Sequence, residues 1–144
     1  MRVFLCLDLG EKRIGVAIGS LDARLAAPLL VFEHLSRKSD IEKVQQMMAA
    51  HAATDILIGI SRQEDGSPNS MGRHSLSFGG DLEKATGICV VYWDEALSTR
   101  DARALRLETG TSRKNRRGHQ DSFAAALILQ SYFDSFAQND APLS

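Results

Sequence analysis

Apolar positions along the chain follow two rhythms, and the switches between them divide it into elements. Arg2 to Asp8 is a short apolar run closed by Gly10, and Arg13 to Gly19 is a second run rich in β-branched residues. The Gly-Glu-Lys turn between them predicts an antiparallel hairpin. Ala26 to Phe32, with Pro28 near its start, reads as a third strand at a sheet edge, where a missing N–H is tolerated. Ser39 and Asp40 then offer an N-cap, and Ile41, Val44, Met47 and Met48 recur at helical spacing, which predicts a helix to about Ala53. Asp55 to Ile60 is continuously apolar, the signature of a buried strand.

The polar stretch from Ser61 to Ser70, with Asp65-Gly66 and Pro68, reads as a mobile surface loop. Met71 to Ala85 carries a weaker helical pattern through Leu76, Leu82 and Ala85, interrupted by Gly79-Gly80. Ile88 to Trp93 is another strand. Ser98 with Asp101 three residues on resembles a capping box opening a helix that Gly110 would end. A last helix is expected from Gln120 to Phe136, with Phe123, Leu127, Ile128 and Tyr132 on one face. A strand hairpin followed by strands alternating with helices predicts a mixed α/β sheet flanked by helices.

Composition narrows the picture. The 144 residues, 44% of them hydrophobic, suffice for one core and not two. A single domain is therefore expected over residues 1–137, with 138–144 as a flexible tail. The net charge of -1 argues against a generally basic coat, yet the charge is segregated. Between Arg100 and Arg117, seven basic residues face two acidic ones, a local charge of +5 that leaves -6 for the remainder. The cysteines, Cys6 and Cys89, sit inside apolar runs without a partner at metal-ligand spacing, which predicts buried, reduced thiols and a cytoplasmic protein. The apolar start is cut short by Asp8, so neither a signal peptide nor a membrane span is expected.

In sheets of this kind, ligands sit beyond the strand ends. Asp8 closes the first strand, Asp94 and Glu95 follow the strand ending at Trp93, and Asp121 opens the last helix. Each has an ordinary alternative: a turn-forming aspartate, an acid in a strand-to-helix loop, a first-turn acid facing the helix dipole. Together, three separate elements would each present an acid at one sheet edge, where converging carboxylates repel unless cations neutralise them. With no His/Cys cluster to favour zinc, Mg²⁺ is the fitting ion. Arg113, Lys114, Arg116 and Arg117 lead directly into Asp121, so phosphate-binding charge would lie beside the acids; a solvated basic loop is the alternative. His119 is placed to donate a proton to a leaving group, or is an exposed loop histidine.

Asp8-Leu9-Gly10-Glu11-Lys12-Arg13-Ile14-Gly15-Val16-Ala17, Asp94-Glu95-Ala96-Leu97-Ser98-Thr99, Ser112-Arg113-Lys114 and Asp121-Ser122-Phe123-Ala124-Ala125-Ala126-Leu127-Ile128-Leu129-Gln130 resemble the motifs of the YqgF/RuvX family. Those are small bacterial RNase H-like proteins named as Holliday junction resolvases and also assigned to 5′-end maturation of pre-16S ribosomal RNA. The resemblance implies an RNase H-like mixed sheet, with antiparallel strands first and parallel strands after. It also implies a nuclease whose Asp8, Glu95 and Asp121, with Asp94 as a neighbour, hold Mg²⁺ or Mn²⁺, and whose Lys12, Arg13 and basic segment meet nucleic acid. Structured RNA or a four-way DNA junction would be the substrate, and a monomer or a homodimer the working form.

Three departures stand out. Ala96 replaces the family's usual arginine, Gly59-Ile60-Ser61 replaces Gly-Leu-Pro, and Phe78-Gly79-Gly80 is unusual. Two other classes compete. Asp-Leu-Gly followed by Gly-Val-Ala-Ile also resembles the first phosphate loop of actin-like ATPases, which need a second domain. A non-catalytic RNA-binding factor could retain the fold, although unneutralised acids beside a phosphate surface would weaken its binding.

Overall fold

The computed structural model describes residues 1–98 and 120–140, and of residues 98, 120, 121 and 137–140 the backbone alone. Five strands form one sheet in the order β3-β2-β1-β4-β5: β1 Val3–Leu9, β2 Arg13–Ser20, β3 Leu25–Glu33, β4 Asp55–Ile60 and β5 Val90–Asp94. β1 and β2 are antiparallel from Val3↔Ser20 to Leu9↔Ile14, and β3 continues antiparallel on β2 as an edge strand. β4 runs parallel to β1, and β5 parallel to β4. A bulge at Val16/Ala17 lies where Pro28 of β3 enters the ladder without an N–H. The expected hairpin, edge strand and mixed sheet are all present.

Strand alternation sends side chains to two cores. Leu5, Leu7, Leu9, Val16, Ile56 and Ile58 face one side, where helices α1 (Arg37–Ala50) and α2 (Ser70–Thr86) cover them. Phe4, Cys6, Ala17 and Leu57 face the other, under helix α3 (Gln120–Asp140). Because β1, β3, β4 and β5 all run the same way, their C-terminal ends share one edge, and α1 and α2 begin there.

Several local expectations need correction. α1 starts earlier than Ser39 and Asp40 suggested. Ser36 is its N-cap, accepting the Ser39 N–H at 3.1 Å, and Asp40 is buried in the first turn. Asp40 accepts from the His34 ring and, at 3.3 Å, from the Leu35 N–H. A buried carboxylate needs such donors, and they fix it inside the helix rather than at its cap. α1 ends at Ala50 because Ala52 takes a positive φ of 52°.

The Ser61–Ser70 stretch is a folded turn rather than a loose loop. Arg62 bridges Pro68, Gln63 N–H donates to Ser67 O at 2.8 Å, and Asn69 both donates to Ser61 Oγ at 2.6 Å and caps α2. Cys89 is exposed, since the strand expected from Ile88 begins only at Val90. On α3 the buried face is Ser122, Ala125, Ala126, Ile128, Leu129 and Phe133, not one led by Phe123 and Leu127. Leu76 of α2 is exposed, and Phe78 takes its place in the core. The helix expected from Ser98 to Gly110 lies outside the described residues, except that Glu95–Ser98 form a 3₁₀ turn.

Candidate active site

Asp8 is the third of three β1 residues, after Phe4 and Cys6, whose side chains alternate onto the α3 face. Its ladder partner on β2 is Gly15, and one residue beyond the Leu7↔Ile58 pair on β4 lies Gly59. Neither neighbouring strand therefore raises a side chain beside the carboxylate on that face.

Glu95 leaves β5 two residues after Trp93, which pairs with Gly59. Its side chain folds back across β4: a methyl group on Gly59 would sit 3.1 Å from Glu95 Cγ and 3.3 Å from Oε1. Asp8 and Glu95 thus converge over the same end of the sheet. The Cys6 thiol lies near enough to feel both charges. Cys6 is fully buried, and its acidity is suppressed first by burial and then by the charges of Asp8 and Glu95.

Asp94 points elsewhere. Its Oδ1 accepts the Ala96 N–H at 2.9 Å and so shapes the turn that carries Glu95, while Oδ2 lies 3.8 Å from Arg62 Nε. Arg62 Nη1 in turn donates to Gly66 O at 2.9 Å, tying the 61–69 turn to β5. Asp121 stands in the first turn of α3, one turn before the buried Ala125, and α3 packs against the 95–98 turn. The Asp121 side chain lies outside the described part. Among the described residues no group of three or more His, Cys, Asp or Glu side chains is gathered for a metal.

Half-buried carboxylates at one end of the sheet, with glycines on the neighbouring strands, offer oxygen donors of the kind a hard divalent cation prefers. Lys12 and Arg13 are exposed on the β1–β2 turn at the same edge. Arg113, Lys114, Arg116, Arg117 and His119 lie outside the described residues. Two contributors escaped the sequence reading, Gly59 and Arg62. A glycine near the end of an otherwise β-branched and leucine-rich central strand was the available signal for the first; the second rests on a turn whose closure no local pattern announced.

A mixed sheet of this order, with acids at its strand ends, is an RNase H-like fold of the kind found in resolvases. Thermus thermophilus RuvC in complex with Holliday junction substrate has the same fold at a TM-score of 0.64 and 14% identity, covering 99% of this chain and 100% of that one. The fowlpox virus Holliday junction resolvase matches at a TM-score of 0.53 and 16% identity, over 92% and 99%. The chain belongs to the RuvX family, whose model, described as Holliday junction resolvase, matches residues 2–135. Curated relatives carry the name "Putative pre-16S rRNA nuclease". That of Anaeromyxobacter sp. (strain Fw109-5) is 36% identical over 131 residues, 91% of this chain and 96% of that protein. That of Carboxydothermus hydrogenoformans is 36% identical over 135 residues, 94% and 98%. Both the family and these relatives are named for nuclease activity. No described helix is long and apolar enough to cross a membrane.

Proposed function

We propose that the protein is a divalent-cation-dependent nuclease that acts in the cytoplasm on structured RNA, in 5′-end processing of pre-16S ribosomal RNA. The observation that carries this reading is the Glu95 side chain laid over Gly59 of β4, the strand paired with the Asp8-bearing β1. That arrangement brings negative charge together where a cation would relieve it.

In this reading Asp8, Glu95 and Asp121 hold Mg²⁺ or Mn²⁺, with Asp94 shaping the turn behind Glu95. When bound, the ions supply activation of water and stabilisation of the leaving oxygen of a phosphodiester. The chain's own groups do the rest. Lys12, Arg13, Arg113, Lys114, Arg116 and Arg117 take backbone phosphates and fix the register of the substrate, which carries no sequence information by itself. His119 returns a proton to the leaving oxygen. One domain over residues 1–137 carries all of these groups.

Cleavage of a four-way DNA junction is the second reading, favoured by the family's description and by the RuvC-like fold. It requires a twofold dimer presenting two sites, whereas trimming of RNA does not. The full chain is therefore incubated with a model pre-16S RNA and a four-way junction side by side, with Mg²⁺ or Mn²⁺, and the products are mapped. Cation-dependent cleavage near the mature 5′ end of the RNA is expected. Symmetric nicking of the junction alone would replace this reading with the second, and no cleavage of either would leave a binding factor. Asp8→Asn should cut the rate by on the order of 100-fold or more, the scale of a lost charge contact in the transition state, with the fold retained. Full activity in that variant would remove Asp8 from the site.

A further inference from the structure

Of the three acids, Asp121 is the one carried by a long helix. α3 is unbroken, and neither proline nor glycine interrupts it between Asp121 and Gln130. Nine residues at a rise of about 1.5 Å make a rod of roughly 14 Å. A rod passes on an axial slide undiminished, so whatever fixes α3 along the sheet also fixes where Asp121 stands.

Apolar burial presses α3 onto the sheet through Ala125, Ala126, Ile128, Leu129 and Phe133, but the hydrophobic effect has no direction of its own. Direction comes from polar bonds made by two adjacent residues. Gln130 Oε1 accepts the Ala26 N–H at 2.9 Å, while its Nε2 donates to Arg24 O at 2.9 Å and to Asp134 Oδ1 at 3.0 Å. An acceptor facing an N–H and a donor facing a carbonyl determine which way the amide points. Beside it, Ser131 Oγ accepts the Trp93 indole N–H at 3.1 Å. Ala26 belongs to β3 and Trp93 to β5, the two edge strands of the sheet. α3 is thus staked to both flanks, and the β5 stake lies two residues before Glu95.

We propose that Gln130 is a positioning residue: its amide, bonded to one carbonyl and one N–H at the start of β3, sets the axial register of α3 and with it the place of Asp121 beside Asp8 and Glu95. Ser131 shares the task from the β5 side. Oxygen ligands of a small divalent cation are held to within a few tenths of an ångström, so a slide by one residue's rise, about 1.5 Å, withdraws a ligand. The proposal rests on the cation-holding reading of these acids, and the experiment separates the two.

Mn²⁺ binding to the full chain is measured by calorimetry for the native protein, Gln130→Met, Asp121→Asn and both changes together, with urea unfolding for stability. Gln45→Met is the control: Gln45 Nε2 also anchors a helix, donating to Ala85 O at 3.2 Å, but from α1 on the opposite face of the sheet. Gln130→Met should weaken Mn²⁺ about tenfold, the scale of a lost support behind a metal ligand. It should add little to Asp121→Asn, because both act through one carboxylate. Gln45→Met should leave affinity within twofold of native. Should Gln130→Met fail to fold, Ser131→Ala decides in its place, with a severalfold loss expected. A folded variant within twofold of native, a loss that simply adds to that of Asp121→Asn, or an equal loss in Gln45→Met would overturn the proposal alone. A native protein that takes up no Mn²⁺ would overturn the cation reading, and the proposal with it.

Discussion

Two adjacent glycines in α2 should respond oppositely to the same substitution. An added Cβ at Gly79 would lie 2.1 Å from the Tyr92 hydroxyl, 2.8 Å from its Cζ and 2.9 Å from its Cε1, whereas at Gly80 nothing lies within 4 Å. Both positions are interior to the helix, so alanine gains about 1 kcal/mol of helix propensity at each. At Gly79 that gain meets overpacking against a ring held on β5, which costs about 1–3 kcal/mol. The cost wins, because the hydroxyl and two ring carbons, and not one flexible tip, stand in the way. Gly79→Ala should therefore lose up to about 2 kcal/mol, while Gly80→Ala gains about 1. Urea unfolding with a common slope measures both, and thermal midpoints should move apart by several degrees, at about 2–4 °C per kcal/mol for a domain of this size. Tyr92→Phe removes the nearest atom and leaves Cζ, so it should recover part of the Gly79→Ala loss. A Gly79→Ala protein as stable as Gly80→Ala would refute the account of α2 packing.

Two further expectations concern single side chains. Cys89 is exposed and Cys6 enclosed, its thiol kept protonated by burial and by the Asp8 and Glu95 charges; Ellman reagent should therefore titrate one thiol in the native protein and the second only in denaturant. Equal, rapid reaction of both would show that the floor of the site is open. His74 has its pKa lowered below 6.5, first by burial and then by the Arg37 and His34 charges, with Asp40 opposing. The unfolded chain then binds its proton more readily than the folded one, so this contribution to stability is complete above 6.5 and fades as pH falls toward the lower folded value. His74→Gln should flatten the decline in stability between about pH 7 and pH 5, and an unchanged slope would count against it.

Elements governed by contacts along the chain were legible in advance. The β1–β2 hairpin follows from two apolar runs flanking Gly10, whose N–H donates to Arg13 O at 2.9 Å, and β4 from its unbroken apolar character. Features decided between distant segments were not. Asp40 offered capping chemistry, but the His34 imidazole claims it. Phe123 and Leu127 are apolar at helical spacing, yet the face that α3 turns to the sheet is the one through Ala125, Ala126, Ile128, Leu129 and Phe133. Within the unusual Phe78-Gly79-Gly80, Gly79 is required by Tyr92 of β5, a contact between segments distant in sequence. The same division runs through the site. Strand-end logic brought Asp8 and Glu95 to one edge, while the glycine between them belongs to neither motif.

The far face of the sheet completes the picture of that edge. The β1–β2 turn, which carries Lys12 and Arg13, is not held by its own residues alone: Lys12 O accepts the His34 N–H at 2.9 Å. The His34 ring is anchored in turn on buried Asp40, and α1 is joined to α2 by Arg37 Nη1 donating to Asp81 Oδ2 at 2.7 Å. The turn is thus pinned through β3 to the helices behind the sheet. Cations presented on a fixed turn lose less freedom when a phosphate arrives than the same cations on a loose one, so more of each contact remains as affinity. The His34–Asp40 pair, its carboxylate buried and its imidazole exposed, is in this sense a support for the proposed substrate contacts of Lys12 and Arg13. It accounts for an otherwise costly carboxylate inside a helix turn.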